Sequence, residues 1–375
     1  MKQLPKINNV YAITGLATIG GLIQGFDVSS MSAIIGTEQY KTYFNNPDSV
    51  LQGGITACMA GGSLLGALFS SWTSDRRGRR DSLFIACNIW IIGSILMSAV
   101  QNVAMLIVSR MVNGFAVGML TSQGWDEAVE ILANLHANGN KLDPIIIGEV
   151  QEIKEKIELE RQFQSQSWLE LFRRRNIIRV HCAIFAHIWA QYTGTNAMLY
   201  YIVYIFQMAG LTGNNTLLAA SIQYVINVVM TVPALLFMDK WPRRRLMMAG
   251  SFLMAMWLFT EGALMATYGH AVPGGLNGVK SVTWVVTNPK ASRAIIACSY
   301  LFIATFAPTW GPVGWVYPTE IIPLYIRSKT VSLATVFNWA MNFSLTFFTP
   351  PAFQNIQYKV RKLGPIRLYY ILTAR

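Results

Sequence analysis

The sequence predicts an all-α membrane protein, and three observations carry that expectation. Of its 375 residues, 53% are hydrophobic and only 13% are charged, whereas a soluble domain carries about 25% charged residues. Apolar runs of about 20 residues, the length a bilayer core requires, recur along the chain. The Lys and Arg clusters between these runs all fall on one side if the spans alternate, which is the charge asymmetry of cytosolic loops.

Roughly nine spans follow in order, at about 10–36, 52–73, 82–100, 103–122, 180–208, 216–238, 246–268, 294–317 and 330–353. The first is long, and no small-residue cleavage site ends it, so it reads as a span and not as a signal peptide. It carries Asp27 in "QGFDVSS". The second runs out at "SDRRGRR" (74–80), where Arg76, Arg77, Arg79 and Arg80 would sit in the cytosol with Lys2 and Lys6. The third is apolar, and the fourth carries Arg110 in "VSRMVNG". Arg173 to Arg175 precede the fifth, Arg243 to Arg245 follow the sixth, and Arg327 and Lys329 follow the eighth. A cytosolic N-terminus is therefore expected.

Between the fourth and fifth spans the character changes abruptly. "GMLTSQ" ends like a membrane helix, and "WDEAVEIL" continues like a soluble amphipathic one. Ala128, Ile131, Leu132 and Leu135 share one helical stripe, and Ile146, Val150, Ile153 and Ile157 share another. Asp126 and Glu127 favour a helix start, and Asn138-Gly139 a stop. These cytosolic amphipathic helices are expected to present a solvated, mixed-charge surface.

Several function classes drop out. The formal net charge is +12, but it sits at span ends and not on a soluble face, so no nucleic-acid partner is indicated. Cys58, Cys87, Cys182 and Cys298 all fall within spans, without disulfide or metal spacing. His136, His181, His187 and His270 are scattered. No nucleophile–base pattern stands out, so neither an enzyme nor a cofactor is expected.

What remains is polarity at membrane depth. A carboxylate there is costly and marks function by default. Asp27, balanced between burial and a nearby cation, is suited to exchanging a proton. Arg110 is the expected partner, and the alternative is a structural ion pair. In the fifth span Gln191 and Thr195 share a face, as do Asn196 and Tyr200. Gln223, Asn227 and Thr231 form a stripe in the sixth, and Asn338 and Asn342 one in the ninth. One such amide alone is usually interhelical glue, whereas stripes on separate helices favour a shared wet cavity. Amides donate and accept, which suits a neutral, hydroxyl-rich solute. The eighth span, "APTWGPVGWVYPTE", holds Pro308, Gly311, Pro312, Gly314 and Pro318 and is expected to break, as helices lining cavities do. Trp315 would lay a flat apolar face on a sugar ring, or else pack between helices.

"SDRRGRR" and "DKWPRRR" (239–245) stand at matching places, as in a parallel internal repeat. Together with "GFD", "QYTGTN", "WVYPTEIIPLYIRS" and the following "NW", they make the chain resemble the sugar porters of the major facilitator superfamily, in particular fungal hexose and pentose transporters. The resemblance covers about residues 10–353, apart from the junction after Gln123. It implies two bundles that rock about a central sugar site, with a neutral hexose or pentose, a proton and the lipid bilayer as partners. No protein partner is indicated. A plasma-membrane carrier working by sugar:proton symport is implied, the alternatives being a facilitator without proton coupling or a non-transporting sugar sensor. Residue by residue, it implies Asp27 and Arg110 as the proton-coupling pair. Gln191, Asn196, Asn227, Trp315 and Asn338 become sugar contacts. Asp75, Arg76, Arg79, Arg80, Asp239, Arg243, Arg244, Glu320 and Arg327 become a cytosolic gate network. Ala190 replaces the first of two glutamines found in many members, and Pro242 replaces a glycine.

The family has twelve spans. Here the fourth stops at "LTSQ", and family spans five and six are missing, a loss of roughly 60–80 residues. Losing an even number keeps every later segment on its expected side. The tail "QNIQYKVRKLGPIRLYYILTAR" has Lys359, Arg361, Lys362 and Arg367 where the twelfth span would run. The chain thus divides into an incomplete N-terminal bundle (1–122), a cytosolic helical loop (123–178), a C-terminal bundle (179–353) and an aberrant tail (354–375). It reads as a mis-spliced or degraded gene for a twelve-span carrier, expected to be inactive in transport as written.

Overall fold

The computed structural model describes Gly25, Asp27, 29–121 and 168–355, except positions 78, 238–239, 273, 277–278 and 280. The side chains of 74–80 also lie outside the described residues. So do most of the first expected span, the amphipathic stretch up to residue 167 and the tail from residue 356.

After helical residues 29–34 comes α1 (Glu38–Tyr43), started by Thr37, whose side chain accepts from the Tyr40 N–H. Then follow α2 (Ser49–Arg77), α3 (Arg79–Ser98) and α4 (Val103–Thr121). Beyond a 3-10 turn (Trp168–Phe172) come α5 (Ile177–Tyr192), α6 (Thr195–Tyr200), α7 (Ile202–Met208), α8 (Asn214–Phe237), α9 (Arg243–Tyr268), α10 (Pro289–Ile321) and α11 (Leu324–Asn355). Among the described residues seven helices, α2, α3, α4, α8, α9, α10 and α11, are long and apolar enough to cross a membrane.

The N-terminal bundle is built on glycine. A Cβ at Gly62 would lie 2.2 Å from the Met111 carbonyl oxygen, and one at Gly66 2.0 Å from that of Phe115. From the other side, a Cβ at Gly114 would lie 2.0 Å from the Met59 oxygen, and one at Gly118 2.0 Å from that of Ser63. Each helix therefore carries a pair of glycines four residues apart that seats the backbone of the other. Lipid offers no hydrophobic drive for helix association, so such close backbone packing has to supply it.

α11 joins the two halves by packing along α2 and against α5. At one end Gly53 approaches Phe347, where a Cβ would meet the carbonyl oxygen at 2.4 Å. Ser49 hydrogen-bonds Gln354, and Tyr201 OH donates to the Thr346 carbonyl at 2.8 Å. Every residue of α7 is buried at this end, and Val203 fills the space above Gly36. The halves are thus sealed where α2 begins and α11 ends.

Two expectations about helix breaks are reversed. The fifth span, expected to be continuous over 180–208, is interrupted twice, because Gly194 has a φ of 89° and Tyr201 has left the helical region. The eighth, expected to break, is α10, one helix that runs through Pro308, Pro312 and Pro318. Proline deletes a rung of the hydrogen-bond ladder but keeps a helical φ. A residue at positive φ cannot continue a right-handed helix at all. Replacing Gly194 by alanine, for which there is open space, is expected to destabilise the protein by about 1–2 kcal/mol through the backbone alone. Unchanged thermal unfolding of the purified variant would contradict this.

The all-α expectation also missed a small antiparallel hairpin between α9 and α10. β1 (Gly269–Ala271) pairs with β2 (Trp284–Val286) in the register Gly269↔Val286, His270↔Val285 and Ala271↔Trp284. Trp284 Nε1 donates to the Met265 carbonyl at 2.9 Å, fastening the hairpin to the end of α9. Three-residue strands offer too few alternations for a periodicity signal.

Candidate functional site

The break at Gly194 shapes the site. It ends α5 just after Gln191 and turns the chain so that Asn196, on the next helix, hydrogen-bonds the Gln191 Oε1. Gln191 Nε2 in turn donates to Asn338 Oδ1 of α11 at 2.7 Å. Three amides from three helices thus form one chain. It borders a cavity of about 120 Å³ lined by α5, α6, α10 and α11. That space is on the order of ten water-sized volumes.

The rest of the lining is aromatic or polar without formal charge. α10 contributes Phe306, Trp310, Gly311, Gly314 and Trp315, α11 adds Trp339 and Asn342, and Thr195 and Tyr200 come from α6. Trp310 is held from behind, its Nε1 donating to Ser251 Oγ at 2.9 Å and to the Met247 carbonyl at 3.2 Å, both on α9. Trp339 donates to Thr121 Oγ1 at 3.4 Å, which ties the cavity wall to α4 of the other half. Among the described residues no Asp, Glu, Lys or Arg lines the cavity.

The expected sugar contacts divide accordingly. Gln191, Asn196, Trp315 and Asn338 line one space. Asn227 does not line it. It is half-buried on α8, and its backbone carbonyl accepts from Thr231 at 2.7 Å. Trp315 meets His187 edge to face, ring centroids 4.8 Å apart at 77°. His187 belongs to the lining and went unremarked among the scattered histidines. It precedes Gln191 by four residues and so shares its helical face, which was the signal available. Trp310 and Trp339 had no comparable signal, because an apolar aromatic in an apolar run does not disclose its side.

A second polar group lies in the N-terminal half. Asp27 is 2% exposed and accepts from Trp90 Nε1 of α3 at 3.1 Å. The expected direct ion pair with Arg110 is not formed among the described residues. Arg110, 1% exposed, places Nη2 3.8 Å from Met59 Sδ and acts on Asp27 through space. A carboxylate beside an indole N–H and a buried guanidinium without direct contact is held by one hydrogen bond and the field of a charge. Asn113 of α4 faces the same carboxyl.

Of the expected gate network, Arg243 Nη2 and Glu320 Oε1 form an ion pair of 2.9 Å between the start of α9 and the end of α10. Arg327 donates from Nε and Nη2 to the Ile322 carbonyl at 3.4 and 3.3 Å. Arg244 is exposed. The side chains of Asp75, Arg76, Arg79 and Arg80, and all of Asp239, lie outside the described residues.

The family described as "Sugar (and other) transporter" matches residues 13–123 and 120–371. The two matches divide where the sequence changes character, and the second extends into the tail. The chain is 38% identical over 440 aligned positions to a high-affinity glucose transporter of Kluyveromyces lactis, covering 96% of this chain and 80% of that protein. It is 36% identical to high-affinity glucose transporter 1 of Candida albicans, covering 96% and 81%. At least 65 of the 440 positions have no counterpart among these 375 residues. Among solved structures, a D-xylose–proton symporter superposes with a TM-score of 0.69 at 20% identity, covering 97% of each chain.

Proposed function

The chain belongs to the sugar porter family of the major facilitator superfamily, and on that premise we propose that it binds a neutral monosaccharide in the cavity between α5, α6, α10 and α11. The fold carries the sugar across the membrane by alternating access, in symport with a proton taken up at Asp27. The membrane is the plasma membrane, and the N-terminus is cytosolic. The observation that carries the reading is the amide chain Asn196–Gln191–Asn338 beside Trp315. Amides match hydroxyls as both donors and acceptors, and aromatic faces match the C–H face of a pyranose. Among the described residues no charged side chain lines the cavity to compensate an anionic substrate. The high-affinity glucose transporters among the relatives support a hexose. The seal at Gly53 and Phe347 closes one face, and its opening in exchange for closure of the other is the two-state change that carriers use.

Among the described residues, those lining the cavity all lie between His187 and Asn342, and they are expected to bind sugar without the segment absent after Gln123. Transport needs more, because rocking requires two complete bundles. The chain as written is therefore expected to bind glucose yet give little uptake in cells lacking hexose carriers, and a full-length version with that segment and a twelfth span restored is expected to recover uptake. Equal uptake by both versions would count against a role for the missing segment. Absence of glucose binding would sink the sugar reading itself.

Gln191 stands at the centre of the amide chain, so Gln191→Ala leaves both Asn338 and Asn196 without their partner. Unpaired buried polar groups cost about 1–3 kcal/mol, so glucose affinity is expected to fall on the order of 10- to 100-fold. Equilibrium binding of labelled glucose to purified protein measures it. An unchanged dissociation constant would remove Gln191 from the site.

A further inference from the structure

We propose that Ser251, a residue of α9 outside the cavity, is a positioning residue for sugar recognition whose hydroxyl fixes the Trp310 indole in the cavity wall, an inference that rests on the sugar-binding reading. Among the described residues the lining comes from α5, α6, α10 and α11, and none of it from α9. α9 nevertheless reaches the wall from behind. Ser251, 3% exposed, meets Trp310, 5% exposed, where α9 packs along α10. The approach is prepared one residue earlier on each helix. A Cβ at Gly250 would lie 2.6 Å from the Thr309 Cβ, so a glycine is what lets α10 come this near.

The hydrogen bonds here have a fixed direction. Ser251 Oγ donates its one proton to the Met247 carbonyl at 2.8 Å, so it faces Trp310 with a lone pair. An indole N–H can only donate, and Trp310 Nε1 donates to Ser251 Oγ at 2.9 Å and to the Met247 carbonyl at 3.2 Å. Two acceptors on α9 thus pin the nitrogen-bearing edge of the ring, and the indole so held lines the cavity. Turning the ring over would take the N–H off both acceptors, which a buried donor resists.

Beside the ring, Gly311 and Gly314 bring no side chain to the lining. A Cβ at Gly314, one turn after Trp310, would have Ala190 Cβ as its nearest neighbour, at 3.8 Å. The tether on α9 therefore sets the tilt of the indole. That tilt decides how a pyranose can lie against the ring while its hydroxyls meet the amides. Two other polar contacts join α9 to α10, from Trp257 Nε1 to Thr305 Oγ1 at 3.3 Å and from Ser299 Oγ to Glu261 Oε1 at 2.7 Å. Neither involves a lining residue, so they hold the helices together without placing the wall.

The test is equilibrium binding of labelled glucose to the purified full chain in lipid nanodiscs. Ser251→Ala is expected to weaken binding about three- to tenfold, the net worth of one hydrogen bond. Thr305→Val breaks the Trp257 contact instead and is expected to bind glucose like the wild type. Trp310→Phe keeps a ring but removes the N–H, and in that background Ser251→Ala is expected to change nothing further, because no donor is left to hold. In protein labelled with fluorotryptophan, the fluorine resonance lost in Trp310→Phe is expected to be the one that moves in Ser251→Ala. Unchanged binding by Ser251→Ala, or a Trp310 resonance that stays in place, overturns the inference while leaving sugar binding intact. An equal loss in Thr305→Val, or additive losses in the double variant, would make the effect one of helix packing and overturns it as well. No glucose binding by the wild type overturns the sugar-binding reading and the inference with it.

Discussion

Replacing Gly118 by leucine is expected to stop the N-terminal bundle from assembling. A Cβ at this position would already lie 2.0 Å from the Ser63 carbonyl oxygen and 2.7 Å from its carbon. The obstacle is backbone, which cannot rotate away as a side chain can. Forcing extra volume into a packed contact costs typically about 1–3 kcal/mol and occasionally more. Here the cost is compounded, because α2 and α4 meet through Gly62, Gly66, Gly114 and Gly118 together, and parting the helices at one point loosens all four. The same contact sets the depth of Arg110 and Met59, which face one another across it. Purified Gly118→Leu protein is expected to unfold many degrees below the wild type or to elute as aggregate. Gly54→Ala is the control, because a Cβ there would have Phe347 Cε2 as its nearest neighbour, at an ordinary 3.9 Å, and its unfolding is expected to match the wild type. A Gly118→Leu protein that is monodisperse and melts with the wild type would show that the close helix contact is not what holds this bundle.

Asp27→Asn is expected to abolish accumulation of sugar against a gradient in the restored full-length version, while leaving exchange of labelled sugar in place. Asparagine is nearly isosteric and can still accept the Trp90 N–H that Asp27 accepts at 3.1 Å, so the fold keeps its hydrogen bond. What it loses is the bindable proton. Without that proton no gradient is coupled to the sugar, and the internal concentration can rise only to the external one. The sign follows from the direction of coupling. Acid outside drives uptake by the parent protein, and the variant is expected to be indifferent to the same pH step. Proton-dependent concentrative uptake that survives the substitution would move the coupling site elsewhere. Loss of exchange as well as accumulation would mark Asp27 as structural.

The family was legible early because its signature is carried by short, contiguous stretches. "QYTGTN" and "WVYPTE" need no three-dimensional information to be matched. The discontinuity after Gln123 was equally local, and the family matches divide at that place. The candidate site was only half legible. Gln191, Asn196 and Asn338 were chosen for being amides in apolar runs, a property visible in one dimension, and they hydrogen-bond around one cavity. Asn227 was chosen on the same ground yet does not line that cavity, because being polar in an apolar run says nothing about which way a helix is turned.

The sequence alone determined that this chain lives in lipid, and it singled out the few residues whose polarity is costly there. Those are properties of single segments measured against the thickness and dryness of a bilayer. Tertiary structure decided the rest. It decided that the chain breaks at Gly194 and not at the prolines of α10, since a positive φ ends a right-handed helix whereas proline keeps a helical φ. It decided that Trp90, and not Arg110, touches Asp27, and that His187 stands beside Asn338 and Trp315. Each of these depends on the rotation of one helix about its axis relative to another, which packing fixes through side chains distant in the chain.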